Sequence, residues 1–363
     1  MENTSNIKVT VIMPVYNEQS YLAVALDSVL SQTLSDIEII CIDDGSTDAS
    51  LEILKEYHAK DERIRIVTEN NAGPALARNN GIRRARGEFL AFLDADDFYE
   101  PTFLEKLYEL AKSEKLDIAI ARYDFYNNEH SKFEASSRAD YSKIYEPGKV
   151  TSKSEHPDKI LASSISSAWN KLYSKSFVVD NGLLFLTGVR IYEDVYFAVN
   201  SMALAQRIGK VHEVLMHHRI HSEQSRAKYF GKYYAQVPEV YLKIQEFLKQ
   251  HGMYAPLSRA YLNLTTSRCY KILELLSEDD REIFWNMLHE EFATELGWFD
   301  NSDEDFETKE NAEFALLIQL YTYREYTTGI KKGKKLGKNP EIIKKKNKIK
   351  GFFSKIFGKK KKK

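Results

Sequence analysis

Four short apolar runs, at residues 9–13, 37–42, 64–67 and 89–93, alternate with helical stripes before residue 94. Each run reads as a buried strand. Leu22, Ala25, Leu26, Val29 and Leu30 recur at helical spacing, as do Leu51, Leu54 and Tyr57. This alternation predicts an α/β fold: a parallel sheet with helices on both faces. In open sheets of this kind, ligands bind outside the carboxyl ends of the strands. Four polar loops, residues 14–18, 43–48, 70–73 and 94–97, leave those ends and are expected to converge on one edge. Ser46 or Thr47 is expected to cap the second helix, and Pro74 suits the first turn of the third.

The last of these loops carries the most chemistry. Asp94, Asp96 and Asp97 fall within four residues, immediately after the run Phe89-Leu90-Ala91-Phe92-Leu93. Clustered carboxylates repel unless a cation offsets them. Hard oxygen ligands suit Mg²⁺ or Mn²⁺, whose shell is usually completed by substrate phosphates. A metal–diphosphate site is one reading. The other is an acidic helix start, with Asp96 or Asp97 capping a helix near Pro101.

Composition narrows the class. Two cysteines, Cys41 and Cys269, form neither a disulfide framework nor a zinc pattern, so a reducing, cytoplasmic setting is expected. Residues 1–6 are polar and no secretory signal is expected; no apolar stretch approaches a membrane span. The net charge of −1 hides an asymmetry. Residues 331–363 hold 16 lysines and one acid, Glu341, giving +15; the remaining 36 basic and 52 acidic residues give −16. An acidic body with a basic tail is a partner signal.

Further along, a helix is expected at 101–115 and a strand at 117–126. A long loop follows at 127–154, then a helix at 193–206 and a strand at 210–216. Residues 231–328 read as amphipathic helices. Asp43-Asp44-Gly45-Ser46 is either a cap with a tight turn or a carboxylate that accepts a hydrogen bond from a uracil imide. No Gly-x-Gly-x-x-Gly or Gly-Lys-Ser/Thr loop follows the first strand, which disfavours a dinucleotide fold and a P-loop. Trp169 is either a core residue or an exposed platform for a sugar ring. Glu193 and Asp194 are either helix-dipole acids or, if they face the metal edge, supply a general base. His217, His218 and His221 form either a satisfied surface cluster or a metal or phosphate contact.

Together these residues resemble the inverting glycosyltransferases of family 2, which have the GT-A fold. Val11-Ile12-Met13-Pro14-Val15-Tyr16-Asn17-Glu18, Ser28-Val29-Leu30-Ser31-Gln32-Thr33 and Asp43-Asp44-Gly45-Ser46-Thr47-Asp48 carry the resemblance. It continues through Ala77-Arg78-Asn79-Asn80-Gly81-Ile82, Gly87-Glu88-Phe89 and Leu93-Asp94-Ala95-Asp96-Asp97. Trp169-Asn170-Lys171-Leu172-Tyr173, Tyr192-Glu193-Asp194 and Arg219-Ile220-His221 extend it less specifically to about residue 225. The resemblance implies a GT-A domain over 1–230, with a Rossmann-like, mostly parallel sheet and flanking helices. A helical region over 231–330 and a tail over 331–363 complete the chain.

It also implies a UDP-sugar or other nucleotide-sugar donor. Pro14 and Tyr16 would line the nucleobase and ribose pocket and Asp44 would pair with uracil. Glu18, Asn71, Gly73 and Arg78 join that donor-binding set. Asp94-Ala95-Asp96 matches the family's DxD motif, with Asp94 toward the ribose and Asp96 a ligand of Mn²⁺ or Mg²⁺. Asp194 matches the catalytic base and His221 a residue near the metal or diphosphate. Trp169 and Glu193 fall on the sugar or acceptor side. The expected partners are the donor and a glycan or lipid-linked glycan acceptor.

In the tail, Ile349, Phe352, Phe353, Ile356 and Phe357 share one helical face among lysines. This pattern predicts a basic amphipathic helix on an anionic membrane surface, so the expected location is peripheral, on the inner face of the cell membrane. Nucleic acid is the rival partner and the phenylalanines argue against it. Two other functions compete with transfer. One is an inactive sugar-nucleotide-binding protein, against which intact Asp96 and Asp194 argue. The other is a sugar-1-phosphate nucleotidyltransferase, which would want a basic glycine-rich loop at 14–18.

Overall fold

The computed structural model describes residues 7–136, 145–146, 149–162, 167–221 and 231–331. The predicted amphipathic helix of the tail lies outside the described residues. The chain divides into two compact units, Met1–Leu264 and Thr265–Lys363.

The first unit is the expected α/β sheet. Strands β1 (Val9–Val15), β2 (Ile37–Asp43), β3 (Ile64–Thr68) and β4 (Phe89–Phe92) alternate with helices α1 (Leu22–Leu30), α2 (Ser50–Lys60) and α3 (Pro74–Arg84). β1 pairs in parallel with β2 and with β4, and β2 pairs in parallel with β3. Val9, Val11, Met13 and Val15 join the core beneath α1, whose Leu22, Ala25, Leu26 and Val29 are buried. α3 packs on the sheet where a Cβ at Gly81 would collide with the Ile12 side chain.

β5 (Phe98–Tyr99), α4 (Phe103–Glu114), β6 (Ile118–Asn127), β7 (Lys132–Ala135), β8 (Lys171–Ser174), α5 (Lys175–Asp180), α6 (Glu193–Leu204) and β9 (Ile208–Ile220) follow. The strand order is β3-β2-β1-β4-β8-β6-β9-β5, with β7 paired to β6. β8 lies antiparallel between β4 and β6, so β6 runs the same way as β4, and β9 pairs with β6 in parallel. The carboxyl ends of β1, β2, β3, β4, β6 and β9 therefore share one edge.

Three elements differ from the sequence expectations. β9 runs on through His217, His218 and Arg219 instead of stopping at residue 216, so strand alternation aims these side chains to opposite faces. The expected loop at 127–154 contains β7, a hairpin partner of β6. β8 went unforeseen because four residues with a buried lysine carry no alternation to detect.

The first unit also contains α7 (Gln236–Gln250) and the start of α8 (Tyr254–Leu275). The second unit holds the rest of α8, with α9 (Glu278–Met287), α10 (Lys309–Leu320) and α11 (Tyr323–Lys331). Phe284, Trp285, Trp298, Phe314 and Ile318 form its buried core, and the Trp298 indole N–H donates to Thr265 Oγ1 at 3.0 Å. Among the described residues no helix is long and apolar enough to cross a membrane.

Candidate active site

The β1 and β2 loops are laced together. Asn17 adopts a left-handed conformation (φ 56°) and its Oδ1 accepts from Thr47 N at 2.7 Å. Glu18 N donates to Ser50 Oγ at 2.9 Å and Gln19 N to Asp48 Oδ2 at 3.1 Å. Asp48, not Ser46 or Thr47, accepts from the first helical N–H of α2, Ser50 N, at 2.9 Å. Gly45 (φ 76°) passes close to the backbone of Asn71 and Glu69, a turn that disfavours any side chain. Pro14 is half-buried and Tyr16 is 43% exposed at the open side of this edge.

Asp44 is buried and organises the next loop. Its two carboxylate oxygens accept from Ala72 N and Gly73 N, each at 2.8 Å. Asn71 is exposed on that loop and Gly73 (φ 94°) faces open space. Asp44 is therefore a loop-holding residue first; each oxygen keeps a second lone pair for a nucleobase.

The β4 loop is where the charges meet. Asp94 Oδ1 accepts from Arg78 Nη2 at 2.5 Å, and Arg78 Nη1 donates to Glu193 Oε1 at 3.1 Å. One buried guanidinium thus ties the acid loop to the first turn of α6. Asp96 Oδ2 lies 3.1 Å from His221 Nε2, and its backbone oxygen accepts from Arg219 Nε at 2.7 Å. Asp97 is fully buried. It accepts from Arg219 N at 2.8 Å and faces His218 Nδ1 at 3.0 Å. Neither Asp96 nor Asp97 caps α4, which begins at Phe103 after Thr102.

The titratable groups of this edge differ in compensation. For His218, burial opposes the charge, but Asp97, Asp96 and Asp94 outweigh it and raise the imidazole to about 9. For Asp96, burial again disfavours the charge, yet the His221 hydrogen bond and the nearby imidazoles hold it below the usual carboxylate range. Glu18 has no such help. Burial, then the charges of Asp96 and Asp94, push its carboxyl up to about 8. His221 Nδ1 is buried without a hydrogen-bond partner, its ring 4.2 Å from that of Tyr21. Carboxylate oxygens with one spare imidazole fit a hard divalent ion. Among the described residues no three His, Cys, Asp or Glu side chains converge to hold an ion unaided. Such an ion would take the rest of its shell from a substrate.

Glu193 and Asp194 open α6 behind Tyr192, which is left-handed (φ 66°). Burial and the Asp194 charge raise Glu193, against the pull of Arg78. Asp194 Oδ1 accepts from Val195 N at 2.8 Å. Beneath them Lys171 is fully buried and donates to Asn170 Oδ1 at 2.8 Å and to Ser167 O at 2.6 Å. Burial lowers its ammonium to about 7, opposed by the Asp194 charge.

Two expectations need correction. Trp169 is only 6% exposed, stacked on His218 at 5.4 Å and edge-on to Tyr123, so its indole offers no open face to a sugar. The three histidines are not one cluster. His218 and His221 reach the acid loop, whereas His217 pairs with Asp124 at 2.5 Å and Glu100 at 2.8 Å. Arg219 was given no role because its partner Asp96 lies more than a hundred residues away, and Lys171 because its burial near Asp194 is set by the fold. The one available signal for both was an ionic side chain inside an otherwise strand-like run.

The glycosyl transferase family 2 model matches residues 10–177. EpsH of Bacillus subtilis is 32% identical over 247 residues, 67% of this chain and 70% of that one. The poly(ribitol-phosphate) beta-glucosyltransferase of Bacillus spizizenii is 31% identical over 56% of this chain. The match spans 31% of that enzyme's length, and 30% of the length of another relative, a Streptococcus pneumoniae glycosyltransferase. S. aureus TarS in complex with UDP-GlcNAc superposes with a TM-score of 0.70 at 19% identity, over 90% of this chain and 92% of that one. This chain, with its acid loop at the strand edge, belongs to glycosyl transferase family 2.

Proposed function

We propose that this protein moves a sugar from a UDP-sugar to a hydroxyl of a surface glycan by one metal-assisted displacement. The observation that carries the reading is the convergence of Asp94, Asp96 and His221 on one edge, with Glu18 close enough to feel their charges, joined through Arg78 to Glu193 beside Asp194. Asp44, Asn71, Gly73, Pro14 and Tyr16 stand on the nucleotide side of that edge. The named relatives support a nucleotide-sugar donor and a polyol-phosphate or glycan acceptor.

Asp96, with His221, would hold Mn²⁺ or Mg²⁺, the substrate diphosphate completing its shell, and as a Lewis acid the ion would offset charge on the departing diphosphate. Arg78 fixes Asp94 toward the donor. Asp194 takes the acceptor hydroxyl proton as that oxygen bonds to the anomeric carbon. The bond from that carbon to the UDP oxygen breaks in the same step, so an α-linked donor gives a β-linked product. Glu193 is held by Arg78, and the match of Asp194 to the family's base position supports it in that role. The test is UDP release from a panel of UDP-sugars: release dependent on one sugar and on a divalent ion is expected. No release from any of them, with Mn²⁺ or with Mg²⁺, would overturn the reading.

The lysine-rich tail supplies the proposed membrane partner and a peripheral, cytoplasmic-face location. Truncation after Gly329 is expected to release the protein from anionic liposomes while UDP-sugar turnover persists. High salt is expected to weaken full-length binding only in part, because screening removes the lysine contribution but not buried phenylalanines. Equal liposome pelleting by both forms would assign the tail another partner.

A further inference from the structure

We propose that the β6–β7 hairpin is an acceptor subsite in which a sugar ring of the glycan stacks on Phe133. The inference rests on the sugar-transfer reading and names the surface that reading lacks, since buried Trp169 cannot serve. All four residues of β7 are exposed, and Phe133 is 57% exposed. Phe133 pairs with Tyr126 on β6, and Tyr126 pairs with Arg219 on β9. Cross-strand partners project to the same face, so the three side chains form one row. Arg219 ends that row at the acid loop, donating to Asp96 O at 2.7 Å. It also donates to Asn128 Oδ1 at 2.8 Å, where the hairpin turn begins.

The row is rigid at its base. Arg219 lies over the Tyr126 and Phe98 rings, each at 5.2 Å. Phe133 lies 5.1 Å from Tyr126 and 4.8 Å edge-on to His217. An exposed aromatic ring fixed from below suits the C–H face of a pyranose. Two strand spacings, roughly 10 Å, separate Phe133 from Arg219.

The experiment is saturation-transfer NMR of the full chain with UDP and Mn²⁺, using methyl β-cellobioside, methyl β-chitobioside and methyl β-lactoside as probes. Wild type is expected to draw signal from ring protons of at least one glycoside. Phe133→Ala is expected to weaken that glycoside about tenfold, Phe133→Trp to retain it, and both to bind UDP as wild type does. No glycoside bound by wild type, equal binding by Phe133→Ala, or a change in dimerisation as the sole effect of the substitution would overturn the subsite. Loss of UDP binding by the wild-type protein would instead count against the donor reading, and the glycoside result would still score the subsite.

Discussion

Asp194→Asn is expected to lower turnover by about 10³- to 10⁴-fold while UDP-sugar affinity stays within a few-fold of wild type. Asparagine keeps the shape of the side chain and an oxygen to accept from Val195 N, now at 2.8 Å. It cannot take a proton. A base acts only in the transition state, so its loss appears in kcat and not in donor binding. Glu193 is poorly placed to replace it, since Arg78 holds its carboxylate at 3.1 Å. Steady-state kinetics with calorimetry of the donor separates the two quantities. Collapse of donor affinity at unchanged kcat would make Asp194 a binding residue and pass the base role to Glu193.

Asp96→Ala carries the second large effect. Against its burial, the His221 hydrogen bond and the charges of His218 and His221 hold its carboxylate ionised. Removing it is expected to abolish the metal dependence of UDP binding and to lower transfer by at least about 10³-fold, the scale of several kcal/mol of lost Lewis-acid assistance. His221→Ala is expected to act in the same direction and less severely, because it supplies one nitrogen where Asp96 supplies the charge. A melting temperature near that of wild type distinguishes these effects from unfolding. Activity in Asp96→Ala that still responds to added Mn²⁺ would place the ion elsewhere.

The first half of the sheet was legible because its signals are local. Val9, Val11 and Met13 announce a strand by themselves, and Leu22, Ala25, Leu26 and Val29 announce a helix. The expected convergence of the polar loops followed from topology alone, since four parallel strands must end on the same side. What the sequence could not carry is pairing over distance. Asp97 meets His218 and Arg219 across more than a hundred residues, and nothing near Asp97 distinguishes it from a helix cap. Arg78 reads as one more polar residue of α3 until the fold sets it between Asp94 and Glu193. Trp169 went wrong for a related reason: an indole's exposure is decided by the neighbours that cover it, here His218 and Tyr123. The β8 strand was hidden by a buried lysine, which alternation-based reading scores as solvent-facing.

The central claim is that Asp96 and His221, beside Glu18, form a site that binds a nucleotide diphosphate through a divalent ion. Calorimetric titration of UDP into the wild-type protein, in EDTA and then with Mn²⁺ restored, tests it most directly. Burial and the charges of Asp96 and Asp94 disfavour an ionised Glu18 when no cation is present, and the acid loop offers the diphosphate no counter-charge, so UDP is expected to bind weakly in EDTA. With Mn²⁺ it is expected to bind at least about a hundredfold more tightly. Equal affinity in EDTA and in Mn²⁺ would contradict the account.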